Sequence, residues 1–113
     1  MSGLTTHVLD TAHGKPAAGM ALRLMRDGVV LFGAKTNADG RFDSPLLTGD
    51  ALRAGAYRLE FDVGHYFRGL GLKLPEPGFL ETVAIEFGVA DAGGHYHVPL
   101  LVSPFGYSTY RGS

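Results

Sequence analysis

Two histidines close together near the end of the chain carry the clearest chemical signal in the sequence. His95 and His97 flank Tyr96 on a predicted β-strand, so both imidazoles leave the same face of that strand. Two neighbouring imidazoles can form an acid/base pair or supply two ligands to a metal ion. An exposed strand face that happens to carry two histidines explains the spacing equally well. Spacing alone therefore leaves both interpretations open.

Three other histidines could join this pair or stand apart from it. His7 lies in the middle of a predicted first strand, where it could complete a three-histidine metal site or meet a polar partner across the sheet. His13 lies in a predicted turn and His65 near the start of a predicted helix, and we expect solvent-exposed roles for both. A His-x-His pair without a defined third ligand is a weak metal signal.

Two arginines and the last residues offer groups that could bind a ligand. Arg41 follows a predicted turn at the start of a strand, where an exposed arginine needs no function. Arg111 lies between Tyr110 and Gly112, and pairing of this segment into a sheet would hold a guanidinium fork that suits planar, oxygen-rich groups. Ser113 adds a hydroxyl and a carboxylate, but as a nucleophile it would need an adjacent base.

The elements that must position these side chains are predicted to be short strands joined by turns. Seventeen glycines and six prolines are spread along the chain, as in proteins with many turns. Asp27-Gly28 predicts a two-residue hairpin turn. Alternating or β-prone segments predict strands over residues 4–10, 20–26, 29–35, 56–62 and 81–89, with two more within 95–113. Apolar residues at spacings of three and four predict a helix within 63–72. Seven or eight short antiparallel strands with one helix predict a β-sandwich.

Composition limits the classes of protein that need to be considered. The 113 residues suffice for one domain with a real core, and 45% of them are hydrophobic. Ten basic and eleven acidic residues nearly cancel, so nothing indicates nucleic acid or an anionic membrane as a partner. The absence of cysteine excludes disulfides, thiol catalysis and thiolate metal sites. The first residues do not resemble a signal peptide, which predicts a cytoplasmic protein.

Several motifs together resemble the 5-hydroxyisourate hydrolases, the transthyretin-related enzymes of urate breakdown. They occur in the family's order and the resemblance covers essentially the whole chain. The motifs are Thr6-His7-Val8-Leu9-Asp10, Gly14-Lys15-Pro16-Ala17, Asp39-Gly40-Arg41, His95-Tyr96-His97-Val98-Pro99-Leu100-Leu101 and Tyr110-Arg111-Gly112-Ser113.

The resemblance implies a fold, an assembly and a reaction. The fold would be a transthyretin-like β-sandwich of two four-stranded antiparallel sheets with one short helix, as a single domain over residues 1–113. Two dimers would form a homotetramer, with active sites in the channel where the dimers meet. The reaction would be hydrolysis of 5-hydroxyisourate to 2-oxo-4-hydroxy-4-carboxy-5-ureidoimidazoline, without a metal or other cofactor.

The resemblance also implies a site, residue by residue. The catalytic set would be His7, Arg41 and His97. The substrate-binding residues would be Tyr110, Arg111, Gly112 and Ser113. Val98, Leu100 and Val102 should then pack inward, while His95 and His97 face the channel.

The expected mechanism uses an imidazole to activate water. His7 or His97 would act as the general base, with the other orienting water or protonating the leaving nitrogen, and Arg41 with Arg111 would stabilise the oxyanion. His95 is a second choice for this site. One alternative is a transthyretin-like module that binds a small ligand without chemistry, and another is a zinc site built from His7, His95 and His97.

Overall fold

The computed structural model describes residues 2–112, which form two facing β-sheets and one short helix. The elements in chain order are β1 (Gly3–Asp10), β2 (Lys15–Pro16), β3 (Ala21–Arg26), β4 (Val29–Lys35), β5 (Leu47–Thr48), a 3₁₀ turn (Gly49–Ala51), β6 (Gly55–Asp62), α1 (Val63–Gly69), β7 (Thr82–Val89), β8 (His95–Ser103) and β9 (Gly106–Thr109). Within these residues, no helix is long and apolar enough to cross a membrane.

The first sheet is four strands wide, in the order β2-β1-β8-β9, and β5 shares the free edge of β1 with β2. The second sheet has the order β4-β3-β6-β7. The predicted sandwich of two four-stranded sheets with one helix is therefore confirmed; the two-residue strand β2 is the fourth strand of the first sheet, and the two-residue strand β5 is additional. Both were too short for alternation to reveal.

One strand pair corrects the prediction of wholly antiparallel sheets. β1 and β8 run parallel, with Thr5 opposite His97 and His7 opposite Pro99. Alternation of apolar residues reports which face a side chain takes, but it does not report strand direction. The two strands are joined through the whole second sheet, so no tight turn imposes antiparallel pairing.

The core lies between the sheets and follows the period-two pattern of the strands. On β8, alternate residues from Tyr96 to Val102 are buried, whereas His95 and His97 point to the opposite face. The predicted division of this strand is confirmed. Because each fully buried large apolar side chain contributes roughly 1.5–3 kcal/mol, this inward set fixes the register that directs the histidines outward.

The turns match the sequence more closely than the ends of the elements do. Asp27 and Gly28 have φ angles of 52° and 78°, as a type I′ hairpin turn requires. The helix ends at Gly69, short of the predicted limit at residue 72. The last strand, Gly106–Thr109, is much shorter than the space left for it in the predicted segment 95–113.

Candidate active site

A pair of imidazoles forms the centre of the candidate site. Nδ1 of His7 and Nε2 of His97 lie 2.8 Å apart, and the two rings stack with centroids 5.0 Å apart and an interplanar angle of 22°. The parallel pairing of β1 with β8 produces this contact, because odd-numbered residues of both strands share the face that points away from the core. The structure thus brings together two residues separated by most of the chain.

A third side chain, Thr5, extends the pair along the same face. Its Oγ1 lies 2.8 Å from Nδ1 of His97, so His97 is held between Thr5 and His7. Sequence reasoning missed Thr5. Its position two residues before His7 indicates a shared face. Only the parallel register, however, places it opposite His97.

Arg41 is close enough to the pair to act on the pKa of both rings, and the turn that carries it docks on the edge of β1. The amide of Val8 donates to the carbonyl of Gly40 at 2.8 Å, and Oδ1 of Asn37 accepts from the amide of Arg41. Gly40 has a φ of 71°, and a Cβ there would lie 2.4 Å from the carbonyl oxygen of Val8, so only glycine fits. Arg41 lies in a bend and does not start a strand as predicted, because its backbone is bound within the turn.

The electrostatic environment favours the neutral form of both paired histidines. Burial lowers the pKa of His7, and the positive charge of Arg41 lowers it further. Burial also lowers the pKa of His97, with further contributions from His7, Arg41 and His95. A neutral imidazole has a free lone pair, so each ring is in the protonation state that a general base needs.

The segment after β9 folds back along β8 and contacts His97 through its backbone. The amide of Gly112 donates to the carbonyl of His97 at 2.7 Å, and a Cβ on Gly112 would lie 2.6 Å from Cδ2 of the His97 ring. Only a glycine allows this approach without displacing the ring. Gly112 therefore lies beside the imidazole pair.

Arg111 lies on the other side of β8 from the imidazole pair. Its guanidinium stands 4.1 Å from the ring centroid of Tyr96, and Nη2 donates to the carbonyl of His95 at 3.0 Å. Tyr110 and Arg111 line a cavity of about 160 Å³ beside β7 and β8. The structure does not bring these two side chains to His7 and His97. Ser113, the fourth predicted binding residue, lies outside the described residues.

His95 shares the outward face with His97 and lies over Gly3, where a Cβ would come within 3.6 Å of its Nδ1. Its charge acts on the pKa of His97, but its ring is not part of the 2.8 Å chain. Among residues 2–112, no three histidine or acidic side chains are grouped so that they could hold a metal ion. A zinc site of His7, His95 and His97 is therefore not assembled in this part of the chain.

The arrangement has the parts that hydrolysis of a carbonyl compound requires. A neutral imidazole pair can take a proton from water and return it to a leaving group, and Arg41 adds a fixed positive charge. The two imidazoles lie on one sheet face, and Arg41 lies in the adjoining bend. The hydroxyl of Thr5 and the backbone at Gly112 border the pair on two sides.

Comparison with known proteins gives consistent relatives. A sequence model of the HIUase/Transthyretin family matches residues 4–112. The chain is 62% identical to a 5-hydroxyisourate hydrolase of Mesorhizobium japonicum, over 97% of this chain and 91% of that protein. It is 56% identical to a 5-hydroxyisourate hydrolase of Ralstonia nicotianae, over the full length of both.

Solved structures show the same fold. The 5-hydroxyisourate hydrolase of Klebsiella pneumoniae superposes with a TM-score of 0.84 at 37% identity, covering all of both chains. Sea bream transthyretin in complex with thyroxine superposes with a TM-score of 0.83 at 30% identity, covering 97% of this chain and 94% of that one. The fold is therefore similar both to a hydrolase and to a protein that holds a small aromatic ligand.

Proposed function

The chain belongs to the HIUase/Transthyretin family, and from this premise we propose that it hydrolyses 5-hydroxyisourate to 2-oxo-4-hydroxy-4-carboxy-5-ureidoimidazoline in urate breakdown. Its relatives at 56% and 62% identity over nearly the whole chain carry the name of that hydrolase. The observation that carries the proposal is the 2.8 Å contact of His7 with His97, with Arg41 close enough to lower the pKa of both.

The proposed reaction proceeds by addition of water and cleavage of a ring C–N bond. An imidazole of the pair takes a proton from a water molecule while the water oxygen attacks a ring carbonyl of the substrate. This step gives a tetrahedral oxyanion and an imidazolium. Arg41 stabilises the oxyanion. The oxyanion then collapses, the C–N bond breaks, and the imidazolium returns its proton to the leaving nitrogen. General acid–base catalysis of this kind contributes about 10²–10⁴-fold.

The residues near the end of the chain have different roles in this proposal. Gly112 forms a wall of the site through its backbone contact with His97. Arg111, through Tyr96 and the carbonyl of His95, holds that segment against β8. Direct binding of substrate by Tyr110, Arg111 and Ser113 stays a prediction, because in the single chain the first two side chains line a different cavity.

We propose a homotetramer, as a dimer of dimers, for the assembled enzyme. β7 and β9 form free edges of their sheets, and a free edge can pair with a second copy. Large aromatic side chains near these edges are exposed, with 72% of Phe79, 63% of Phe105 and 57% of Tyr110 accessible. Sedimentation velocity checks this assembly, and a species of 12 kDa at micromolar concentration would contradict it. The cytoplasm stays our predicted location.

A non-catalytic binding protein of the same fold is the alternative function. The similarity to sea bream transthyretin in complex with thyroxine gives this alternative its basis. The imidazole pair favours the enzyme, because two partly buried neutral histidines beside an arginine provide acid–base chemistry that simple binding does not need. Saturable binding of 5-hydroxyisourate without turnover would support the binding protein instead.

The spectrophotometric decay of freshly generated 5-hydroxyisourate tests the proposal. We expect the wild-type chain to accelerate the decay, and His97→Ala to lose about 10²–10⁴-fold in kcat, as loss of a general acid–base group does. His65→Ala is the matched control, since His65 is exposed on α1 and should leave kcat unchanged. Wild-type protein that leaves the spontaneous rate unchanged would overturn the proposed hydrolase function.

A further inference from the structure

We propose that Thr5 is a positioning residue that makes His7, through its Nε2, the general base of the site. This inference rests on the proposed hydrolase function and goes beyond it, because it assigns the two imidazoles different roles. It follows from the chain of contacts Thr5 Oγ1–His97 Nδ1 and His97 Nε2–His7 Nδ1, each 2.8 Å long.

A neutral imidazole carries one proton, so each contact in the chain fixes the next one. If His97 donates Nδ1–H to Thr5, its Nε2 is an acceptor and must receive Nδ1–H from His7. Nε2 of His7 is then an unprotonated nitrogen that is free to take a proton from water. If Thr5 instead donates to His97, every proton moves by one place, and Nε2 of His7 carries a hydrogen. Only the first arrangement provides a base at His7.

The surroundings of Thr5 allow the first arrangement. When the hydroxyl accepts from His97, its own O–H needs another acceptor. A cavity of about 210 Å³ lies beside Thr5 and is lined by the segment 42–46, including Asp43 and Ser44. This cavity is large and polar enough to hold water, which can accept the Thr5 hydroxyl proton. The hydroxyl can therefore donate to solvent while it accepts from the imidazole.

The same chain also stabilises the charge that forms during the reaction. When His7 takes a proton at Nε2, its Nδ1–H still donates to Nε2 of His97. His97 in turn donates Nδ1–H to Thr5, so the positive charge is shared along three hydrogen-bonded groups. Burial and Arg41 disfavour that charge at rest. Thr5 thus supports the charged state through His97, without touching the substrate.

Substitutions at Thr5 distinguish this role from a packing role. Thr5→Val keeps the β-branched shape and removes the hydroxyl, whereas Thr5→Ser keeps the hydroxyl and removes a methyl group. We expect Thr5→Val to lower kcat by roughly 10- to 100-fold with KM little changed, as loss of a group that orients another catalytic group typically does. Thr5→Ser should recover most of kcat. Thr48→Val, at an exposed position on β5, is the control that should leave both constants unchanged.

Nitrogen-15 NMR of the histidine rings tests the tautomers without any substrate. We expect the wild-type protein near pH 7 to show His7 protonated at Nδ1 and free at Nε2, and Thr5→Val to show a mixture of tautomers. A proton on Nε2 of His7 in the wild type, or wild-type kcat in Thr5→Val, would overturn the inference. Failure of the proposed hydrolysis would appear separately, as an inactive wild type whose NMR spectrum still reports the tautomers.

Discussion

Two histidine clusters, one on the outer face of β1 and one just beyond its end, show how a partner determines what a histidine does. On the outer face of β1, His7 meets another imidazole and lies near the charge of Arg41. Just beyond the end of β1, His13 donates Nδ1–H to the carboxylate of Asp10 at 2.7 Å, and its backbone amide donates to the same carboxylate at 3.0 Å. The first cluster lacks an acid in these contacts, and the second is centred on one.

A lowered pKa has opposite consequences in the two clusters, because it favours a neutral imidazole in one and an ionised carboxylate in the other. Burial and Arg41 lower the pKa of His7, so this ring is neutral and available to take a proton. Burial alone would raise the pKa of Asp10, but hydrogen bonds from His13 and Tyr66 outweigh it and lower the pKa. Asp10 is fully buried and its carboxylate ties β1 to α1. We infer that the outer cluster (His7, His97 and Arg41) serves chemistry and that the inner cluster (Asp10, His13 and Tyr66) serves stability.

Removal of one histidine from each cluster gives the largest expected contrast. His7→Ala should lower kcat by about 10²–10⁴-fold, because it removes the proposed base, while the protein stays folded. His13→Ala should leave kcat per folded molecule unchanged and should cost about 1–3 kcal/mol in the free energy of unfolding, because it removes a partner of a buried carboxylate. Decay assays paired with urea unfolding measure both. Equal losses of kcat in the two variants would contradict the division.

Removal of the charge beside the outer cluster gives the next largest effect. Arg41→Ala should lower kcat by about 10²–10³-fold, because it removes a group proposed to stabilise the oxyanion. Since Arg41 lowers the pKa of His7 and His97, its loss raises both, and the base form persists only at higher pH. The acid limb of the kcat profile should therefore move to higher pH.

Arg41→Lys is the matched control for this charge. Lysine keeps the positive charge but loses the planar fork, so the acid limb should stay near its wild-type position while kcat still falls. Profiles of kcat against pH for the wild type, Arg41→Ala and Arg41→Lys separate the contribution of the positive charge from that of the planar guanidinium fork. An acid limb that Arg41→Ala leaves in place would show that the charge does not act on the imidazoles.

The two clusters also show which features of the fold and the site the sequence alone predicts. Alternation correctly predicts the inward and outward faces of β8, and therefore the shared face of His95 and His97. The Asp27-Gly28 turn is equally local, since two residues with positive φ determine it. These features follow from neighbouring residues, so the sequence is sufficient for them. Spacing offered His7 only as a possible metal ligand, and its catalytic role and that of Arg41 were expected only from the family resemblance.

The remaining features depend on contacts that are distant in sequence. The parallel register places Thr5 and His7 against His97, and no local pattern encodes the direction of a strand. His13 was expected to be a solvated turn residue, but its ring contacts a carboxylate that alternation alone would place in an apolar core. Arg111 was expected to face substrate, and its packing on Tyr96 depends on where the chain turns after β9.

The smallest expected effect comes from the hydroxyl that Tyr66 directs at Asp10, and it sharpens the inner half of the comparison. The O–H of Tyr66 donates to Oδ2 of Asp10 at 2.9 Å. Burial raises the pKa of Tyr66, and the nearby Asp10 carboxylate raises it further, so the hydroxyl stays protonated and remains a donor. Tyr66→Phe should cost about 1–2 kcal/mol in the free energy of unfolding at pH 7, with kcat per folded molecule unchanged.

The pH dependence of that loss identifies Asp10 as its origin. A carboxyl whose pKa is lower in the folded state stabilises the fold above its unfolded pKa, which for Asp is near 3.8, and loses this contribution as pH falls through the folded pKa. Tyr66→Phe removes one cause of the lowered pKa. The difference in unfolding free energy from wild type should therefore be full at neutral pH and shrink in acid. Tyr107→Phe, at an exposed tyrosine, is the matched control, and a difference for Tyr66→Phe that persists unchanged in acid would assign it to packing on α1.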